Sequence, residues 1–153
     1  MTTRASFVYV TYILSTPEKV FDALLDPEMT KQFWGWHRNE SDWKAGSEWK
    51  HVDYDAPERV AVAGTVVEIY RPRLLVLTWQ HPGTSSDAAS RVTFQIETFE
   101  EAVRLTVSHT ELDPESKTFR GISMGWPAIL SSLKSLLETG KPLPSTAKRW
   151  PRQ

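Results

Sequence analysis

The sequence predicts an α+β fold: a first strand, two short helices directly after it, an antiparallel meander, and one long C-terminal helix that lays its apolar face on the sheet. Three observations carry the prediction. A β-branched and aromatic run near the start is followed at once by two helical segments that each open on proline. The middle of the chain alternates apolar and polar residues between turn signals, and the last third carries apolar residues at three- and four-residue spacing. With 153 residues the chain has the size of one domain with its own core.

The first strand is Phe7 to Leu14, rich in β-branched and aromatic side chains. Ser15-Thr16-Pro17-Glu18 then starts a helix, with Thr16 as N-cap and Pro17 at the first helical position. Val20, Phe21, Leu24 and Leu25 follow at helical spacing, and Asp26-Pro27 ends that helix and opens another through Phe33-Trp34.

From Trp43 to His109 the period is two. Ser47 to Asp53, Val60 to Tyr70, Leu74 to His81, Arg91 to Thr98 and Ala102 to Thr110 read as antiparallel strands, joined by "DAPE", "RPR", "PGTSSDAAS" and "FEE". An outward Glu68 sets a parity that puts Thr65, Val67 and Ile69 on the inner face. The same alternation turns Leu75, Leu77 and Trp79 inward, with Val92, Phe94 and Ile96, and with Val103, Leu105, Val107 and His109.

The final helix is expected from Asp113-Pro114 to Gly140, about 25 residues. Its apolar stripe is Phe119, Ile122, Trp126, Ile129, Leu130, Leu133, Leu136 and Leu137. Pro127 lies inside it and offers no N–H to the Ser123 carbonyl, so a bend or widened turn is expected between Ser123 and Pro127. On that reading residues 129–137 anchor the helix, while Phe119, Ile122, Ser123 and Trp126 overlie a cavity mouth. Residues 1–140 are taken as one domain. Residues 141–153, "KPLPSTAKRWPRQ", form a basic, proline-rich tail expected to be loosely ordered, with Trp150 docked on a neighbour in preference to disorder.

Composition narrows the function. Charges nearly balance at a net of -1, which gives no broad basic surface for nucleic acid. No cysteine is present, so disulfides, thiolate metal sites and cysteine nucleophiles are excluded, in keeping with an expected cytoplasmic location. The apolar run from Phe7 to Leu14 is only eight residues long and no small-residue cleavage site follows it, so it is expected to be a strand and not an export signal, and no window approaches the roughly 18 apolar residues of a membrane span. His37, His51, His81 and His109 are dispersed without metal-ligand spacing, no glycine-rich phosphate loop is present, and neither metal nor cofactor is expected.

The candidate site is built from aromatics. There are seven tryptophans. Trp34 and Trp36 flank Gly35 after the second short helix, at one rim of a cavity; Trp49, Trp79 and Trp126 converge from two strands and the long helix, and either wall a flat apolar ligand or fill its space. His51 and His109 are the inward imidazoles. His109 reads as a satisfied structural histidine first, a ligand hydrogen-bond partner second and a general base third. The expected ligand-lining set is therefore Trp34, Trp36, Trp49, His51, Thr65, Val67, Leu77, Trp79, Phe94, His109, Phe119, Ile122, Ser123 and Trp126, with no catalytic residue among them.

The order strand, two short helices, meander and long helix is the helix-grip arrangement. "STPEKVFDALLDPEMTKQFW", "WKAGSEW", "VAGTVVEIYRPRLLVLTW", "VRLTVSHTEL" and "GWPAILSSLKSLLETG" resemble successive signatures of the AHSA1 family, the Hsp90-ATPase-activator-homologue branch of the START-like (SRPBCC) superfamily. The resemblance runs from about Phe7 to Gly140. It implies a curved sheet wrapped around the long helix, with an internal cavity between them that in the wider superfamily holds lipids, sterols, polyketides or other hydrophobic small molecules. The family's eukaryotic co-chaperones carry an additional N-terminal domain that makes much of the chaperone contact, so direct stimulation of Hsp90 is not expected from these residues. The leading expectation is a non-enzymatic binder of a hydrophobic or aromatic small molecule. Two alternatives stand beside it: a cyclase or hydrolase of such a ligand, and an interaction module for a chaperone or a transcription regulator; a homodimer is compatible with each.

Overall fold

Side-chain caps start the first two helices where the sequence places them. Thr16 Oγ1 accepts from Lys19 N at 3.2 Å and Asp26 Oδ1 from Glu28 N at 2.9 Å, each satisfying an amide left orphaned by the helix start. In the computed structural model, which describes residues 4–83 and 89–150, these helices are α1 (Pro17–Leu25) and α2 (Pro27–Phe33) and follow strand β1 (Ala5–Ile13). The chain continues through β2 (His37–Ser41), β3 (Glu48–Asp53), β4 (Val60–Tyr70), β5 (Leu74–Trp79), β6 (Ser90–Phe99) and β7 (Ala102–Leu112) to α3 (Lys117–Thr139).

All seven strands form one antiparallel sheet in the order β1-β7-β6-β5-β4-β3-β2. α1 and α2 carry the chain from one edge to the other. The α+β helix-grip expectation holds: the inner face packs on α3, burying Val92, Phe94, Ile96, Val103, Leu105 and Val107 against Ile122, Trp126, Ile129, Leu130 and Leu133. At the β1 edge, Lys134 Nζ donates to Tyr12 O while Glu138 Oε2 accepts from Leu14 N at 2.8 Å, so the helix satisfies part of an open strand edge.

Several expectations are corrected. β2 is not apparent in "HRNES", which lacks alternation; it forms because it pairs with β3 from His37↔Asp53 to Ser41↔Trp49 and turns Asn39 into the interior. The strand expected to reach His81 ends at Trp79, with only a bridge from Gln80 to Ala63 beyond it. The long helix starts after Ser116, not at Asp113: Asp113 O accepts from Ser116 N in a turn, and Ser116 Oγ caps Phe119 N at 3.0 Å. α3 then runs uninterrupted through Pro127, so the widened turn expected there is not formed.

Parity fails in β4. A bulge between Val66 and Glu68 gives that strand an extra residue, so Val66 and Ile69 face in, Val67 sits half-buried at the bulge, and Thr65 is exposed on the outer side. Residues 141–150 lie along the body instead of trailing from it: Thr146 is fully buried, and its hydroxyl donates to Ser132 Oγ while its carbonyl accepts from Gly35 N. Residues 84–88 of the "PGTSSDAAS" turn, the first three residues and the last three of the tail lie outside the described residues.

Gly64 is fixed by a close approach between β4 and β5. A Cβ there would lie 2.0 Å from Thr78 O, a backbone atom that also accepts from Trp49 Nε1 at 2.7 Å. Gly64→Ala is therefore expected to lower the free energy of urea unfolding by about 3 kcal/mol. Gly121→Ala, on an exposed turn of α3 where nothing lies within 4 Å, is expected to raise it by about 0.5–1 kcal/mol.

Candidate functional site

The inner space between sheet and helix holds a continuous cluster of aromatic rings. Trp126 of α3, 1% exposed, lies at its centre, with ring centroids 5.4 Å from Trp34, 5.5 Å from Trp79, 5.7 Å from Phe94 and 6.2 Å from His109. Trp79 extends the cluster to Trp49 at 5.8 Å and to His109 at 5.3 Å, and Trp34 extends it to His51 at 4.6 Å. These are offset and edge-on contacts, the arrangement that aromatic quadrupoles favour.

Of the residues expected to line a site, the fold buries Trp34, Trp49, His51, Leu77, Trp79, Phe94, His109, Ile122 and Trp126. Phe119 and Ser123 are half-buried, and Ser123 Oγ donates to Phe119 O at 2.7 Å. Three others do not join. Thr65 is exposed and Val67 sits on the bulge. Trp36 is corrected too: positive φ at Gly35 (64°) and Trp36 (61°) swings its ring outward, onto Tyr54 at 5.4 Å, with its Nε1 donating to Asp55.

His109 is held on both ring nitrogens. Trp126 Nε1, which can only donate, lies 3.1 Å from His109 Nδ1, so Nδ1 accepts and the ring proton sits on Nε2. That N–H points at Ser90 Oγ, 2.7 Å away, and the serine hydroxyl donates onward to Trp79 O at 3.3 Å. The pair resembles a serine nucleophile with its base, yet the proton runs the wrong way: a base must accept from the serine, and this imidazole donates to it. Burial, with a smaller contribution from His81, lowers the His109 pKa to about 3, so the ring stays neutral.

His51 is fixed in the same manner. Asn39 Nδ2 donates to Leu24 O, which turns its Oδ1 toward His51 Nδ1 at 2.7 Å and assigns that nitrogen the proton. The ring stacks on His37 at 4.8 Å, and burial followed by the neighbouring imidazoles holds its pKa well below the usual range. One polar atom in the cluster lacks a partner: Trp79 Nε1 is buried and makes no hydrogen bond.

Sequence reasoning missed Ser90, Asn39 and the pair formed by Asp53 with Arg149. Ser90 ends a turn, Asn39 sits in a polar pentapeptide, and Arg149 lies 96 residues from Asp53; none has a local pattern that signals its partner. A separate open hollow of about 460 Å³ lies at the β2–β3 hairpin, lined by Glu40, Ser41, Asp42, Ser47, Glu48 and Lys50, apart from the aromatic cluster. Among the described residues no group of three or more His, Asp or Glu side chains is placed to hold a metal, and no helix is long and apolar enough to cross a membrane.

The family model described as Activator of Hsp90 ATPase homolog 1-like protein matches residues 15–138. Among solved structures, protein SSP2350 of Staphylococcus saprophyticus is 24% identical with a TM-score of 0.70, over 91% of this chain and 96% of its own. The Aha1 dimer of Colwellia psychrerythraea is 21% identical with a TM-score of 0.72, over 90% and 98%. The Hsp90 activator PFC0360w of Plasmodium falciparum is 21% identical with a TM-score of 0.70, over 86% and 95%. At these identities the likeness is one of fold. No curated protein matches.

The two neutral imidazoles make stability pH-dependent. Both fold with a depressed pKa and protonate near 6.5 once unfolded, so their contribution is complete above pH 6.5 and is lost as pH falls below it. Urea titrations are expected to show a loss from His109 of about 1.4 kcal/mol per pH unit as pH falls from about 6 toward 4, with His51 adding to the loss in the same direction. His109→Gln, which keeps a neutral donor and acceptor, flattens that slope. Asp53, held at about 2 chiefly by its hydrogen bond from Arg149, adds its loss only below its ordinary 3.8.

Proposed function

The chain belongs to the Activator of Hsp90 ATPase homolog 1-like family, whose model spans residues 15–138, and from that premise we propose that it is a binding protein for a flat, neutral, apolar small molecule bearing a hydrogen-bond acceptor. The observation that carries this reading is the unpartnered indole N–H of Trp79. Leaving a buried donor unsatisfied costs about 1–3 kcal/mol, which an acceptor oxygen on a ligand recovers. The surroundings of Trp79 set the rest of the chemistry. Rings of Trp49, Trp126 and His109 lie within 6 Å of it and offer π-faces to a planar molecule. His109 is uncharged and spends its donor on Ser90 and its acceptor on Trp126, so nothing in this part of the cluster compensates a ligand charge.

Binding is favoured over catalysis by the tautomer of His109. The hydroxyl and imidazole that an acyl-transfer mechanism would recruit are committed to each other in the opposite sense, and the buried His51 is likewise committed to Asn39. In this reading the ring system of the ligand is a polyketide-like or other fused aromatic skeleton with a carbonyl.

Fluorenone and fluorene test this directly, since they share a planar apolar skeleton and differ by one carbonyl oxygen. Fluorenone is expected to bind about tenfold more tightly by tryptophan fluorescence quenching, a difference of about 1.4 kcal/mol. Trp79→Phe, which keeps an aromatic ring and removes the N–H, is expected to erase the preference. Equal affinity of the two probes for the wild-type protein, or a preference that survives Trp79→Phe, would overturn the reading.

A further inference from the structure

We infer that the C-terminal strap, residues 141–150, is a gate over the aromatic cluster, latched by the ion pair between Arg149 and Asp53. The inference rests on the binding reading above and adds the route by which a ligand reaches the site.

The seat of the strap is a notch made by two glycines beside two tryptophans of the cluster. Gly35 follows Trp34 and Gly125 precedes Trp126, and those indoles touch at 5.4 Å. Trp150 lies across both glycines: a Cβ on Gly35 would fall 3.4 Å from its ring, and one on Gly125 would fall 4.0 Å from it. The ring covers the place where Trp34 and Trp126 come together. Trp126 in turn touches Trp79, so a path past Trp150 leads to the unpartnered N–H.

The fastening of this wall differs from that of the others. Sheet and α3 close on each other through fully buried apolar side chains, which separate only with unfolding. The end of the strap is held by a half-exposed guanidinium: Arg149 Nε and Nη2 donate to the two carboxylate oxygens of Asp53, the second at 2.9 Å, and Nη2 reaches Asp55 at 3.2 Å. Release of Arg149 leaves Asp53 Oδ1 its bonds from the backbone N–H groups of Asp55 and Ala56 and uncovers Oδ2 to water. The Trp150 indole N–H donates to Ser145 O at the hinge end of the strap, an exposed bond that water replaces when the end opens. Thr146 and Leu143, both bonded to Ser132 of α3, form the hinge end. The latch can therefore open by exchanging exposed or newly exposed hydrogen bonds for water without breaking the anchors at Ser132, and salt weakens it because Arg149 is exposed to screening.

The test uses the full chain carrying Trp150→Phe, so that the strap's own indole is not the signal, with Arg149→Glu added. Lys148→Glu, the same charge change at an exposed neighbour, is the control. Acrylamide quenching of tryptophan emission reports opening without any ligand, and stopped-flow mixing with fluorenone reports access. Arg149→Glu is expected to raise the quenching constant about twofold and both association and dissociation rates of fluorenone about fivefold, with Lys148→Glu changing neither. Arg149→Ala, which removes the pair without repulsion, should shift both readouts less and in the same direction, and circular dichroism confirms that the variants fold. Unchanged fluorenone rates in Arg149→Glu would overturn the gate, whether or not quenching rises, and would leave the binding site standing if the wild-type protein still binds the probe. Absence of fluorenone binding to the wild-type protein would overturn the site and the gate together, and quenching would then report only how the strap packs.

Discussion

The packing of Trp126 against the inner face of the sheet is the contact on which the rest of the structure depends. This one indole, 1% exposed, touches Trp34 from the end of α2, Trp79 from β5, Phe94 from β6 and His109 from β7. It joins elements that have no sequence proximity, and its N–H simultaneously decides which nitrogen of His109 carries the proton. A side chain of that volume fixes the distance between helix and sheet, as close-packed interiors require.

From that constraint the electrostatics follow. An imidazole enclosed by indoles cannot keep a charge, so His109 is neutral, and the Trp126 N–H on Nδ1 leaves its one proton on Nε2, which makes Ser90 an acceptor instead of a nucleophile. The same enclosure leaves Trp79 Nε1 buried without a hydrogen-bond partner, as Arg38 Nε is elsewhere in the fold. The proposed binding site rests on the first of these. Structural saturation at His109 and incompleteness at Trp79, two residues whose rings are 5.3 Å apart, give the cluster its chemical direction.

The strap supplies the boundary. Trp150 lies in van der Waals contact with Gly35, whose φ of 64° favours glycine, and next to Gly125, and Asp53 is held ionised by Arg149, which reaches it from the far end of the chain. In Gly125-Trp126-Pro127 the glycine lies beside Trp150, the tryptophan centres the cluster, and the proline is accommodated within a regular helix. Proline forfeits one backbone hydrogen bond, which a helix of 23 residues with a fully packed face tolerates.

The sequence by itself determined the order of the elements other than β2, the caps at Thr16 and Asp26, the apolar stripe of α3 and the inward parity of β5, β6 and β7, and its ordered motifs carried the helix-grip resemblance. The element-level features are properties of local periodicity and local hydrogen bonding, written within a few residues of where they act. Nine of the fourteen expected site residues are buried, those on the strands and α3 because parity and helical spacing orient them. Only the tertiary structure decided the rest. A one-residue bulge reversed Thr65, two left-handed residues turned Trp36 outward, and β2 exists only through its pairing with β3. Ser90, Asn39 and Arg149 take their roles from partners 11 to 96 residues away, and no local pattern names them: a hydrogen bond to a distant residue is set by where the packed elements bring the two atoms.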